Sequence, residues 1–133
     1  VHATRSAGEA PGRAPVYLAD TLGETALWYA AAGLCFVGGS MVEKGGHTPY
    51  EPAQFGCALV HGPHVENAAD AYARLAAGDA AVSVTDADAL AEALAALDGP
   101  AQAAIGERAR QTLAAQDIAA LVAAAESRLR LAS

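Results

Sequence analysis

Basic residues are few in this 133-residue chain and nowhere gathered: eight Lys and Arg stand against fifteen Asp and Glu, a formal charge of −7. A protein that grips a phosphate backbone needs a positive stripe, so no nucleic-acid partner is expected. Long apolar runs are also absent, none approaching the ~20 residues that span a bilayer, and the first residues lack the basic, apolar and small-residue zones of a secretory signal. The chain itself is expected to be soluble. The two cysteines, Cys35 and Cys57, lie in separate apolar runs. That excludes a disulfide framework and predicts buried free thiols in a reducing compartment. Aromatics supply only 5% of the residues, whereas Ala alone supplies 37 of them. Larger hydrophobic side chains therefore make up roughly a quarter of the chain, enough for one compact domain.

What is present is a succession of short apolar runs separated by helical stretches. Residues 1–14 mix Gly, Pro, Arg, Ser and Glu without periodicity and read as a tail or linker. From residue 15 to residue 133 the pattern is that of parallel βαβ units. The strand candidates are 16–19, 34–37, 58–60 and 81–84, continuous apolar runs of the kind buried on both faces. Helix candidates are 23–32, 49–55, 67–77 and 86–97, the last with Leu90, Ala93, Leu94 and Leu97 on one stripe. After Gly99-Pro100 the chain is Ala-rich, with Ile118, Leu121, Val122, Ala125 and Leu129 at helical spacing, which predicts one or two terminal helices. The expected architecture is α/β, a Rossmann-like parallel sheet of about four strands with flanking helices.

Polar and glycine residues cluster at the ends of the first three strand candidates: Asp20-Thr21-Leu22-Gly23-Glu24, then Gly38-Gly39-Ser40 onward to Gly45-Gly46-His47-Thr48, then His61-Gly62-Pro63-His64. In an open α/β sheet ligands bind at the carboxyl ends of the strands, so the three clusters are expected to line one crevice. Gly38, Gly39, Ser40, Gly45 and Gly46 form a candidate phosphate loop, because glycine backbone can approach a ligand and turn successive N–H groups toward an anion. Thr48 before Pro49 has the form of an N-cap with Pro at the first helical position. Glu51 then falls in the first turn, either as a partner of the helix dipole or as an acceptor for ribose hydroxyls. The loop is neither a Walker motif nor the dinucleotide fingerprint, which leaves a mononucleotide or nucleotide-sugar phosphate.

Other residues carry a structural reading beside the functional one. Thr21 and Glu24 have capping-box spacing. Asn67 reads as an N-cap or as a ligand contact, and Trp28 and Tyr29 as packing residues or as a platform for a base. His47, His61, His64 and Glu51 fit no zinc spacing, so no metal is expected.

The succession Ala19-Asp20-Thr21-Leu22-Gly23-Glu24, Phe36-Val37-Gly38-Gly39-Ser40, Gly45-Gly46-His47-Thr48-Pro49-Tyr50-Glu51-Pro52-Ala53 and Gly62-Pro63-His64 resembles the bacterial 3-deoxy-D-manno-octulosonic acid (Kdo) transferases. The resemblance runs from about Arg5 to the C-terminus and covers the last third of that family. It implies part of the C-terminal domain of a GT-B glycosyltransferase, which holds CMP-Kdo while an N-terminal domain holds lipid A precursor. The matching CMP contacts are Leu22, Gly23 and Glu24, together with Thr48, Pro49, Tyr50 and Glu51. Thr48 stands where the family has Asn, and Tyr50 where it has Leu.

The resemblance also implies an inverting transfer in lipopolysaccharide core biosynthesis at the cytoplasmic face of the bacterial inner membrane, with no cofactor beyond the donor substrate. The family's catalytic Glu belongs to the N-terminal domain, as does membrane association, and a nucleotide-contacting Pro-Arg pair lies upstream of Val1. The chain by itself is therefore expected to be inactive. Two alternatives stand beside this expectation: a GT-B donor domain for a UDP-sugar, and a non-catalytic interaction domain.

Overall fold

The computed structural model describes residues 2–131. Its elements in chain order are β1 Ala3–Thr4, β2 Tyr17–Leu18, α1 Thr25–Ala31, β3 Leu34–Phe36, α2 Tyr50–Gln54, β4 Ala58–His61, a 3₁₀ turn Glu66–Ala68, α3 Ala69–Ala77, β5 Val82–Ser83, α4 Ala87–Ala96 and α5 Gly99–Leu131. The fold is α/β with all pairings parallel, as expected. The strands, however, divide between two sheets: β3, β4 and β5 lie side by side in that order, and β1 pairs only with β2.

The strand expected at 16–19 therefore joins no four-stranded sheet. Its partner comes from residues 1–14, where Ala3 aligns with Tyr17 and Thr4 with Leu18. Backbone bonds from Ala3 N–H to Val16 O and from Arg5 N–H to Leu18 O hold the pair. A two-residue strand has no periodicity to read, and its bonds are made by backbone, which composition does not reveal.

The core sits on β4, whose four residues are all buried. Leu34 aligns with Ala58 and Phe36 with Val60 on one side, and Val60 with Val82 on the other. Leu59 and Leu75 are fully covered, and Val37, Ala53, Tyr72, Ala109 and Leu113 close around them. Burial on both faces explains why β4 is a continuous apolar run. The α5 helix packs on β4, α2 and α3. It is one helix where one or two were expected; of the stripe read at its far end, the side chains of Ile118, Leu121, Ala125 and Leu129 lie outside the described residues. The α4 helix starts where predicted, with the Asp86 carboxylate accepting from Ala89 N–H at 2.8 Å. Leu94 on its predicted stripe stays 47% exposed.

Candidate functional site

The loops leaving β3 and β4 are tied together by buried polar groups. Ser40 donates from Oγ to Val37 O at 2.6 Å and accepts from Gly62 N–H at 2.9 Å, while His64 N–H donates to Ser40 O. Ser40 is wholly buried. Its hydroxyl is a strut between the two strand ends, closed off from solvent. Gly46 N–H and His47 N–H donate to Gly39 O and Gly38 O, both at 3.1 Å. These two bonds close the loop on itself, and they occupy the N–H of Gly46, one of the residues expected to line a phosphate loop. Gly45 and Gly46 are buried and have φ values of +79° and +69°, the left-handed region that glycine enters without a Cβ penalty. Gly38 and Gly39 remain at least partly open to solvent.

Asn67 has a role that differs from the expected cap. It lies within the 3₁₀ turn, not at a helix N-cap; Val65 precedes that turn and Ala68 precedes α3, neither with a side-chain cap. Its Nδ2 donates to Lys44 O at 2.9 Å and to Gly46 O at 3.1 Å, and its backbone N–H donates to Gly45 O at 3.0 Å. The contacts of two further residues also escape sequence reading. Tyr72 Oη donates to His47 O at 2.8 Å, and burial pushes its hydroxyl up to about 12, so it keeps the proton it donates. Arg74 reaches from α3 to Tyr50 Oη at 3.0 Å and to Thr112 O at 3.2 Å. Tyr72 and Arg74 show only helical spacing in the sequence, and no short-range signal marks their long-range bonds.

This framework leaves two adjoining depressions that share Glu66 and Asn67. One, of about 430 Å³, is walled by Thr48, Tyr50 and Asp70 as well. The other, of about 560 Å³, is walled also by Glu43, Lys44, Gly45 and His64. Thr48 is exposed and its Oγ1 lies 3.5 Å from Tyr50 N, so it borders the helix start, while Pro49 takes the cap position. Glu51 is exposed in the first turn of α2, and Pro49 is buried beneath it. His61, Gly62 and Pro63 face a third depression of about 410 Å³, lined also by residues of α3 and β5 and sharing Glu66 with the other two. Among the described residues no group of three His, Cys, Asp or Glu side chains is placed to hold a metal.

The cluster at the end of β2 stands apart. No hydrogen bond among the described residues joins residues 20–24 to the loop 38–51. Glu24 is gripped by Arg5 at 3.1 and 2.8 Å and contacted by the Thr21 hydroxyl; the first contact is the larger cause of a carboxyl held down at about 2. Thr21 and Glu24 thus meet side chain to side chain, and no side chain caps α1. Ser6 bonds Asp20 through both N–H and Oγ. Leu22 is fully exposed, and Gly23 has φ +82° with open space around it. Trp28 packs edge-on against Tyr17 with centroids 5.6 Å apart, beneath the Arg5 guanidinium at 5.8 Å. Cys35 is half-buried and Cys57 buried, both as free thiols, and burial pushes Cys35 up to about 11.

No family model matches the chain. The 3-deoxy-D-manno-octulosonic acid transferase of Bordetella pertussis is 42% identical over 118 residues, which cover 86% of this chain and 28% of that protein. A solved structure, the C-terminal CMP-Kdo binding domain of WaaA from Acinetobacter baumannii, matches with a TM-score of 0.77 at 34% identity, over 85% of this chain and 61% of that one. The chain belongs to the Kdo transferase family. The Kdo transferase of Haemophilus influenzae is 38% identical over 95 residues, covering 70% of this chain. The chain spans about a quarter of the length of these curated relatives, 22% and 28%. Its α/β fold is that of the C-terminal, GT-B type domain, and the glycine loop and depressions lie beyond the carboxyl ends of this chain's β3 and β4. No helix among the described residues is long and apolar enough to cross a membrane.

Proposed function

We propose that the chain is the donor-binding portion of a Kdo transferase, which moves Kdo from CMP-Kdo to lipid A precursor in lipopolysaccharide core biosynthesis. The observation that carries this reading is the clamped glycine loop, with its paired depressions at the strand ends, in a chain similar to a CMP-Kdo binding domain. Leu22, Gly23 and Glu24 contact CMP from one side, and Thr48, Pro49, Tyr50 and Glu51 from the other. The fixed backbone supplies preorganised dipoles as negative charge gathers on the departing CMP. General acid and base chemistry belongs to the part of the enzyme this chain does not span, so the chain binds donor without transferring sugar. No cofactor takes part, and the whole enzyme works at the cytoplasmic face of the bacterial inner membrane.

Titration of the ¹⁵N-labelled chain with CMP and with UMP tests this reading. Amide shifts at residues 22–24 and 48–51 with CMP are expected, and Glu51→Gln should weaken CMP about tenfold by removing charge from its bonds to ribose. Unchanged affinity in that variant would leave Glu51 a helix-dipole partner only. A preference for UMP would point to a UDP-sugar donor, and silence with both nucleotides to an interaction domain. Any turnover of CMP-Kdo with lipid A precursor by the chain alone would overturn the division of labour.

A further inference from the structure

Building on the donor-binding reading, we infer that Asn67 is a positioning residue, which fixes the Lys44-Gly45-Gly46 backbone in the shape the nucleotide meets. Three successive carbonyls, those of Lys44, Gly45 and Gly46, all accept from this one residue, through Nδ2, the backbone N–H and Nδ2 again. The clamp comes from an element more than twenty residues away in sequence. Two adjacent glycines at positive φ have more backbone freedom than any other pair, and without an outside hold they lose it only at the moment of binding. The fit is mutual. A Cβ on Gly45 would lie 2.5 Å from Asn67 Oδ1, and one on Gly46 would lie 2.7 Å from His64 O. Asn67 also borders both depressions, so the residue that fixes the loop stands where a ligand bridging them would pass. It touches the loop's backbone and acts on the nucleotide through it.

The test compares the 133-residue chain with its Asn67→Ala and Asn67→Asp variants by CMP titration and amide hydrogen exchange. Asn67→Ala removes both Nδ2 bonds; Asn67→Asp also sets a carboxylate against two carbonyl oxygens. CMP affinity is expected to fall about tenfold in Asn67→Ala and further in Asn67→Asp. Protection should drop at Gly46 and His47, while the amides of Leu59 and Val60 exchange as before. Affinity within about twofold of the parent chain would overturn the inference and leave the donor reading intact. So would protection lost equally at β4, because a merely structural residue would loosen the whole core and leave the folded fraction's affinity unchanged. If the parent chain shows no CMP-dependent shift at all, the donor reading fails and this inference falls with it.

Discussion

The α5 helix and the segment entering β4 meet through backbone atoms with no space between them, whereas β1, β2 and α1, beyond the backbone bonds of the β1–β2 pair and the Tyr17–Trp28 contact, are joined through charged and hydroxyl side chains that water reaches. At Gly106 an added Cβ would lie 1.9 Å from Gly56 O. Close approach of that kind is what lets Ala109 and Leu113 seal Leu59. On the other side, Arg5 grips Glu24 and Ser6 grips Asp20, all on exposed surface, and α1 has no fully buried residue. One region takes its stability from packing and the other from bonds that water competes for. The comparison also separates the two halves of the candidate site, because the glycine loop rests on the packed region and residues 22–24 on the ionic one.

The sharpest way to break the packed region is a single methyl group. Gly106→Ala places Cβ against the Gly56 and Cys57 backbone, which cannot rotate away, so α5 must lift from β4. A loss of about 3 kcal/mol is expected in urea unfolding. Gly99→Ala, in the same helix with nothing within 4 Å, should be neutral or slightly stabilising. Equal effects at both positions would remove close packing as the reason for glycine at 106.

Ser40→Ala comes next. It leaves the buried Gly62 N–H without its acceptor and takes the side-chain donor from Val37 O. A buried group left unpaired costs about 1–3 kcal/mol, read as a lower urea midpoint with an unchanged slope. A loss near zero would mean that the strut does not hold the two strand ends together.

Legibility followed the same division. The run at β4 and the stretch of α4 were readable because burial and helical spacing leave their mark in a few consecutive residues. The glycine loop was also readable as a loop at a strand end, but not its internal bonds. Asn67 before an Ala-rich helix has the form of a cap; that its side chain instead reaches back to Lys44 and Gly46 depends on a fold no local window contains. Ser40 is likewise indistinguishable in sequence from a phosphate-loop serine until Gly62 is found beside it. β1 was missed because two residues paired through backbone carry no pattern, and the bonds of Arg5 and Ser6 to the carboxylates of Glu24 and Asp20 join positions 19 and 14 residues apart. Gly106 has no signal at all in an Ala-rich stretch, since only the neighbouring chain makes its missing Cβ matter.

The smallest effect belongs to the ionic region, and its sign with pH distinguishes it from packing. The Arg5 guanidinium beside Glu24, followed by the Thr21 hydroxyl, holds that carboxyl at about 2, against an ordinary value of 4.5. A carboxyl whose folded value lies below its unfolded one adds stability above about pH 4.5, and loses it as pH falls toward about 2. Glu24→Gln keeps the shape of the side chain and leaves Arg5 above Trp28, while it removes the charge and turns one of the two accepting oxygens into a donor, as protonation of the carboxyl also does. A small deficit in urea midpoint relative to the parent chain is expected at pH 7, where the pair is open to water and salt screens it. That deficit should shrink between about pH 4.5 and about pH 2 and then disappear, because the parent's own Glu24 is by then protonated. The Ser40→Ala deficit should persist through the same range, since neither of its bonds involves a titrating group. If the Glu24→Gln deficit also persisted below pH 2, Glu24 would be acting through hydrogen bonds that its neutral carboxyl keeps and an amide does not, and charge would not be what joins the N-terminal region.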